Sequence, residues 1–356
     1  MQNKVSKIWV VIITLNIIIT LVALAGIVFL LVKISNPDND TDNIISTSIT
    51  PTPTKIQLQT EFNPKVDFKF TLANLPRIDG STSNVPLRNL ILCELLNYTC
   101  KWEEFSPEDT TKERYMTIDA PQTILDAIKL KSVNSTTHNA YVKLINGETD
   151  IIFVATQPSE EEQALMTEKG VELDIKPIAL DAFVFIVNKD NIVTSLTLQQ
   201  IVDIYTGKIT NWKELQGRNA KLNAYQREDN SGSQELMKLL VLKGEKPIGA
   251  PELTISGMMG LINRVTRDVD GLGYSVYYYE EFMVQNTSLK LLAINGINPN
   301  YQSLEDQSYP LTSPVYVVTR KGIDTTSATY NLAQWMLTEE GQQVVKNSLY
   351  VPAINK

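Results

Sequence analysis

Histidine and cysteine are nearly missing from this chain, which has one His (His138) and two Cys (Cys93 and Cys100) in 356 residues. A transition-metal centre needs several such donors at ligand spacing, and neither cysteine has a partner of that kind. A serine hydrolase needs a nucleophile elbow, and no G-x-S-x-G string occurs. No cysteine stands near the N-terminal apolar run, which argues against a lipid anchor there. Positive charge is in deficit: 32 Lys and Arg face 40 Asp and Glu, a net charge of −8. That is the wrong sign for a nucleic-acid partner. It leaves an anionic ligand open, because a buried site works through local amides and not through the global field. The sequence therefore predicts no metal, no cofactor and no catalysis.

The apolar run is the most continuous feature of the N-terminus. Residues 8–34 are interrupted only by Thr14, Asn16, Thr20, Gly26 and Lys33, and such a stretch is long enough to span a bilayer as a helix. Lys4 and Lys7 precede it and Asp38, Asp40 and Asp42 follow, which places the N-terminus inside. Ala23-Leu24-Ala25 offers a cleavage site for the alternative of a removed signal peptide. The apolar residues Ile27–Val32 beyond it favour an uncleaved anchor. The expected order is a cytoplasmic stretch 1–7, a transmembrane anchor 8–34 and an extracellular tether 35–65. The tether carries Thr50-Pro51-Thr52-Pro53-Thr54 and is too polar to form a core. The folded part is thus expected outside a cell membrane crossed once.

An outside location permits a disulfide between Cys93 and Cys100. Two residues seven apart on one straight helix are too distant to bridge. Leu96-Asn97-Tyr98-Thr99 could end the helix and fold the chain back; two separate thiols are the alternative.

Beyond the tether, short apolar strands alternate with amphipathic helices. The strands are 150–155, 171–178, 182–187, 222–225, 273–277, 289–294 and 315–319. Helices are expected at 159–169, 198–205 and 234–242, with a long last one at 325–346. Ser159-Glu160-Glu161-Glu162 is a capping-box pattern. This alternation predicts an α/β fold with mostly parallel sheets.

Two segments share one grammar. Ile78-Asp79-Gly80-Ser81-Thr82-Ser83-Asn84-Val85-Pro86 is an apolar end, a Gly-Ser-Thr-Ser turn and a helix start with Pro in its first turn. Tyr225-Gln226-Arg227-Glu228-Asp229-Asn230-Ser231-Gly232-Ser233 is a strand end, one arginine and a Ser-Gly-Ser turn feeding a helix. Free amides at a helix start carry the positive end of its dipole. With hydroxyls and a guanidinium they make an anion site. A capped surface helix with an arginine nearby is the plainer reading of the second segment taken alone.

The chain resembles the phosphate-binding-protein family, the extracellular solute-binding components of phosphate-type ABC importers. The resemblance runs from about Leu75 to Pro352. It rests on the 78–82 loop, Gly147-Glu148-Thr149-Asp150-Ile151-Ile152, Pro177-Ile178-Ala179-Leu180-Asp181-Ala182, the string Tyr205-Thr206-Gly207-Lys208-Ile209-Thr210-Asn211-Trp212, the 227–233 segment and Gly271-Leu272-Gly273-Tyr274-Ser275. It implies a two-lobed clamp of the type II periplasmic-binding fold, with lobe 1 at 66–188 and 309–356 and lobe 2 at 189–308. It also implies ABC permease subunits as partners and a ligand held by Ser81 and Thr82 on one side and by Arg227, Ser231, Gly232 and Ser233 on the other. Ser233 replaces the family's usual Thr and keeps the hydroxyl.

Two places depart from the family pattern. A Ser-Gly-rich loop is replaced by Thr136-Thr137-His138-Asn139, which makes His138 and Asn139 candidate ligand donors. The carboxylate that would accept the proton of hydrogen phosphate is replaced by Thr156-Gln157, also candidates. Gln157 can donate or accept, so phosphate, another oxyanion and a larger anionic solute all stay open, with weak discrimination of protonated from unprotonated anions expected. Asp79 is the other acidic candidate and is expected to cap loop amides, facing away from the ligand. His138 reads equally well as a helix-cap or core residue. A ligand-sensing receptor of the same fold is the second functional reading.

Overall fold

The computed structural model describes residues 55–103 and 113–354. The chain divides into two units, residues 1–52 and 53–356. The first unit, and with it the expected anchor and most of the tether, lies outside the described residues. Among the described residues no helix is long and apolar enough to cross a membrane.

The strand β5 (Leu173–Asn188) organises the second unit. Residues 178–187 are buried without a break, as expected of a strand covered on both faces. Its first part pairs with β13 (Thr312–Arg320), through Ala182 opposite Thr312. From Phe183 onward it pairs instead with β10 (Gly271–Val276). The sheet runs β1 (Ile78–Gly80), β4 (Ile151–Val154), β13, β5, β10, β7 (Asn223–Ala224), while β11 (Leu289–Leu291) and β14 (Val351–Pro352) also pair with β5. Smaller pairs join β2 (Thr99–Trp102) to β3 (Met116–Asp119), β8 (Gln226–Arg227) to β9 (Thr254–Ile255), and β6 (Ser195–Leu196) to β12 (Ala293–Ile294).

The sheet is mixed, which corrects the expectation of mostly parallel strands. Pairs β1–β4 and β7–β10 are parallel. β13 runs antiparallel to both β4 and β5, and β10, β11 and β14 run antiparallel to β5. Alternation of strands and helices along a sequence does not fix direction, because a strand returning from a distant segment can enter from either end.

Local details differ too. The strands expected at 171–178 and 182–187 are one, β5; Pro177 lies opposite Tyr316 next to Ile178, the extra residue of a bulge in β5, and a bulge is where a sheet tolerates proline. The last helix is two, Ala328–Trp335 and Glu339–Asn347, the second capped by the Thr338 hydroxyl accepting from the Gly341 amide. The helices Gln122–Lys131 and Met258–Thr266 were not read from the sequence.

The helix Val85–Leu96 stops at Asn97, which turns left-handed at φ 57°. The Tyr98 amide returns to the Cys93 carbonyl at 2.8 Å. The chain then enters β2, bringing Cys100 to a Cα–Cα distance of 5.9 Å from Cys93, and the two form a disulfide. The described end of the expected tether is docked: the Ile56 amide donates to Gln307 Oε1, and the Asn63 amide to the Leu337 carbonyl.

Candidate functional site

A cavity of about 290 Å³ gathers both Ser/Gly turns. One wall holds Ser81, Thr82, Ser83, Thr136, Thr137 and Ala155. The other is built from Arg227, Glu228, the 230–233 turn, Leu236, Ser256, Gly257, Met258 and Val276.

The first wall is fixed from behind. Asp79 is fully buried, and its Oδ1 accepts the amides of Gly80 (2.7 Å) and Ser135 (2.8 Å). It is absent from the cavity lining, the orientation expected of a loop cap. Arg88, also buried, donates to the Val133 carbonyl and to Asn134 Oδ1. Burial pulls its guanidinium down to about 10 against the opposing charge of Asp79. Ser81 and Thr137 join hydroxyl to hydroxyl at 2.8 Å. Thr136 sits at φ 71°, a left-handed conformation that costs a β-branched residue about 1–3 kcal/mol and is held only where the surroundings over-determine it.

The second wall is built around Arg227. The β8–β9 pairing and a 2.8 Å hydrogen bond from its amide to the Tyr274 hydroxyl set its backbone. Its side chain is 6% exposed. Nε donates to the Ile255 carbonyl (3.1 Å) and to Glu228 Oε2 (3.2 Å), and Nη2 donates to Glu228 Oε1 (3.1 Å). Burial works against ionising Glu228, but the Arg227 hydrogen bonds and charge outweigh it and hold the carboxyl below its ordinary range. Ser231 caps the helix Gly232–Leu236 by accepting from the Gln234 amide at 3.1 Å. The amides of Gly232 and Ser233 lie ahead of the first intrahelical bond, as any helix start leaves them.

The site thus offers a buried guanidinium, several hydroxyls and free amides in a small cavity, which is the chemistry of an oxyanion receptor. Residues 118–340 match the family model of the PBP superfamily domain. The chain belongs to the PBP superfamily. Among curated members, the phosphate-binding protein PstS of Staphylococcus epidermidis is 27% identical over 226 residues, 60% of this chain and 67% of that protein. Protein SphX of Synechococcus elongatus is 29% identical over 203 residues, 52% of this chain and 60% of its own length. The α/β fold is that of solved superfamily members. An ABC-type phosphate transport receptor from Vibrio cholerae aligns with a TM-score of 0.53 at 18% identity, over 77% of this chain and 98% of its own. A phosphate-binding protein from Stenotrophomonas maltophilia aligns at 0.52 and 12% identity, over 79% of this chain and 91% of its own.

Within this superfamily fold the candidate residues separate into two groups. Ser81, Thr82, Arg227, Ser231, Gly232 and Ser233 line the one cavity. His138, Thr156 and Gln157 line a larger neighbouring cleft of about 910 Å³, and Asn139 lines neither. His138 Nδ1 is 3.0 Å from Glu162 Oε1, a buried carboxylate that burial pushes up and that also takes the Ser159 amide. That pairing gives His138 a structural partner. Gln157 Nε2 reaches only the Tyr316 hydroxyl, at 3.4 Å. Thr137, Glu228 and the Ser256-Gly257 turn were not singled out from sequence. The signal for Glu228 was present: a carboxylate next to the one arginine of the turn.

Cavity and cleft meet at Thr137, Asn230 and Gly232. A Cβ on Gly232 would lie 2.4 Å from Thr137 Oγ1, and Thr137 cannot turn away without breaking its bond to Ser81. Gly232→Ala is expected to weaken ligand binding about tenfold or more, in line with the roughly 1–3 kcal/mol cost of overpacking. Titration calorimetry checks this, and unchanged affinity would show that the contact is absent in the bound state.

Proposed function

We propose that the chain captures phosphate or a related oxyanion between two lobes, 66–188 with 309–356 and 189–308, and delivers it to ABC permease subunits. On this reading the folded part is extracellular and residues 8–34 hold it to the cell membrane. The observation that carries the proposal is the convergence of two remote Ser/Gly turns and the buried Arg227 on one cavity. Every lining residue up to Ala155 belongs to the first lobe, and every one from Arg227 on belongs to the second. The relatives support the ligand class, being named as phosphate-binding proteins, and they are binding proteins rather than enzymes. Ser81, Thr82, Arg227, Ser231, Gly232 and Ser233 are proposed to hold the anion, with Thr137 beside them. His138, Asn139, Thr156 and Gln157 are proposed to act no closer than the cleft.

The test is native mass spectrometry of residues 53–356 followed by calorimetry with inorganic phosphate. Expected are one bound anion per chain and saturable binding. No binding of phosphate or sulfate would overturn the reading.

A further inference from the structure

The cleft beside the anion cavity is lined by two sets of charges, one on each lobe of the proposed clamp. On the first lobe, the capping box of Ser159 and Glu162 fixes the start of the helix Glu160–Lys169. Glu162 is engaged there by the Ser159 amide and by His138. Glu160 and Glu161, the residues between, take no part in the cap; both are exposed and both line the cleft. On the second lobe, the helix Met237–Leu242 ends where Lys243 turns left-handed at φ 47°. The Glu245 amide returns to the Leu242 carbonyl at 2.9 Å. This tight turn presents Lys243 and Lys246, also exposed, to the same cleft. Among the described residues, none of these four side chains has an ion-pair or hydrogen-bond partner.

The remaining charges leave this opposition in place. Lys238 is held by Glu235 at 2.9 Å, and Glu245 alone adds a negative charge to the lysine turn. The two walls already act on each other. Burial chiefly raises the Glu162 carboxyl, and the Glu235 charge on the opposite wall adds to it.

We propose that Glu160 and Glu161 pair with Lys243 and Lys246 when the lobes close, and that these pairs retain the bound anion. The proposal rests on the two-lobed oxyanion reading above. All four are positioning residues: none lines the anion cavity, and they act on the ligand through the closed posture of the walls that hold it. Opposite charges on facing walls attract more strongly as the cleft narrows, because the Coulomb energy grows as separation falls. The pairs exist only after closure, so losing them speeds opening and with it release.

The alternative is that these charges act only by their field on an incoming anion. That field has a fixed sign, since lysines attract phosphate and glutamates repel it. Changing Glu160 and Glu161 to Lys would then tighten binding, chiefly by faster entry. Pairing predicts the reverse, because lysines would face lysines across the closing cleft.

The experiment is calorimetry and stopped-flow kinetics at low ionic strength with inorganic phosphate, or with sulfate where phosphate does not bind. It uses the full chain, Glu160→Lys with Glu161→Lys, Lys243→Glu with Lys246→Glu, and all four changes together. Each double variant is expected to bind about fivefold more weakly, by faster release, in line with the modest strength of exposed pairs. The fourfold exchange is expected to return to within about twofold of the unaltered protein, and the differences to shrink in high salt. Thermal melts of the ligand-free proteins check folding. Lysines in a first helical turn oppose its dipole, so Glu160→Gln with Glu161→Gln carries the test where the lysine variant fails to fold; it should bind about twofold more weakly. Tighter binding by the Glu→Lys variant, release unmoved in every variant, or a fourfold exchange as weak as the doubles overturns the inference and leaves the oxyanion reading standing. Failure of the unaltered protein to bind phosphate or sulfate overturns both.

Discussion

Arg227→Ala should abolish measurable phosphate binding while the protein stays folded. Among the described residues the guanidinium is the one cation lining the cavity, and a charge-assisted contact is the strongest single element such a site can offer. Removing one partner of a buried charged pair typically costs on the order of 3 kcal/mol, roughly a hundredfold or more in affinity. The change also leaves Glu228 facing the anion with nothing to balance it, which adds to the loss. Arg227→Lys should recover little, since one ammonium cannot fork to Glu228 and still serve the ligand. Calorimetry decides it, and affinity within threefold of the unaltered protein would remove Arg227 from the site.

The second large effect concerns stability. Asp181 and Glu280 are both fully buried, and burial raises each to about 7. For Asp181 the amides of Tyr278 (3.0 Å) and Ala182 (2.8 Å), both donating to Oδ1, offset this only in part, and Oδ2 has no partner. Beside Glu280 the Ser275 hydroxyl works in the same opposing sense. The folded state thus holds protons that the unfolded chain gives up near pH 4. The unfolded state binds fewer protons across this window, so stability falls as pH rises from about 4 to about 7 and levels off above. With about 1.4 kcal/mol per pKa unit, each group contributes a few kcal/mol of slope. Asp181→Asn with Glu280→Gln should melt higher than the unaltered protein at pH 8 and show a shallower fall between pH 5 and pH 8. Equal slopes in calorimetric melts would show that neither carboxyl is protonated in the folded state.

What could be read from the sequence was what is chemically local. The two Ser/Gly turns were legible because Gly, Ser and Pro beside an apolar run have few other uses, and the structure brings both to one cavity. The Ser159 capping box was legible for the same reason: its Ser and Glu are three residues apart and answer each other directly. The direction of β13 was not legible. It depends on how the chain returns after more than 120 residues, which no local pattern records. The unity of β5 was not legible either: the strands read at 171–178 and 182–187 are one, continuous through residues 179–181. Glu228 was passed over because its neighbours Asp229 and Asn230 make a polar run that reads as a solvated turn. Only the fold shows that Arg227 is shut in and that its neighbour is the group left facing the cavity.

The strands that flank β5 also order events in time. The stretch between β5 and β13 begins and ends on neighbouring strands, since Ala182 lies opposite Thr312, so it is complete before synthesis reaches the C-terminus. The part carrying the first anion turn is not. It waits for β13, for β14 to lie against Leu180 and Ala179, and for Tyr350, whose hydroxyl donates to the Ser83 carbonyl and lies 2.9 Å from Asn84 Oδ1. Domains emerging from the ribosome fold as units, so the earlier-encoded half of the cavity is expected to be the later one to form. On that order residues 350–352 would act as a clasp, closing the wall that faces Arg227 and Glu228.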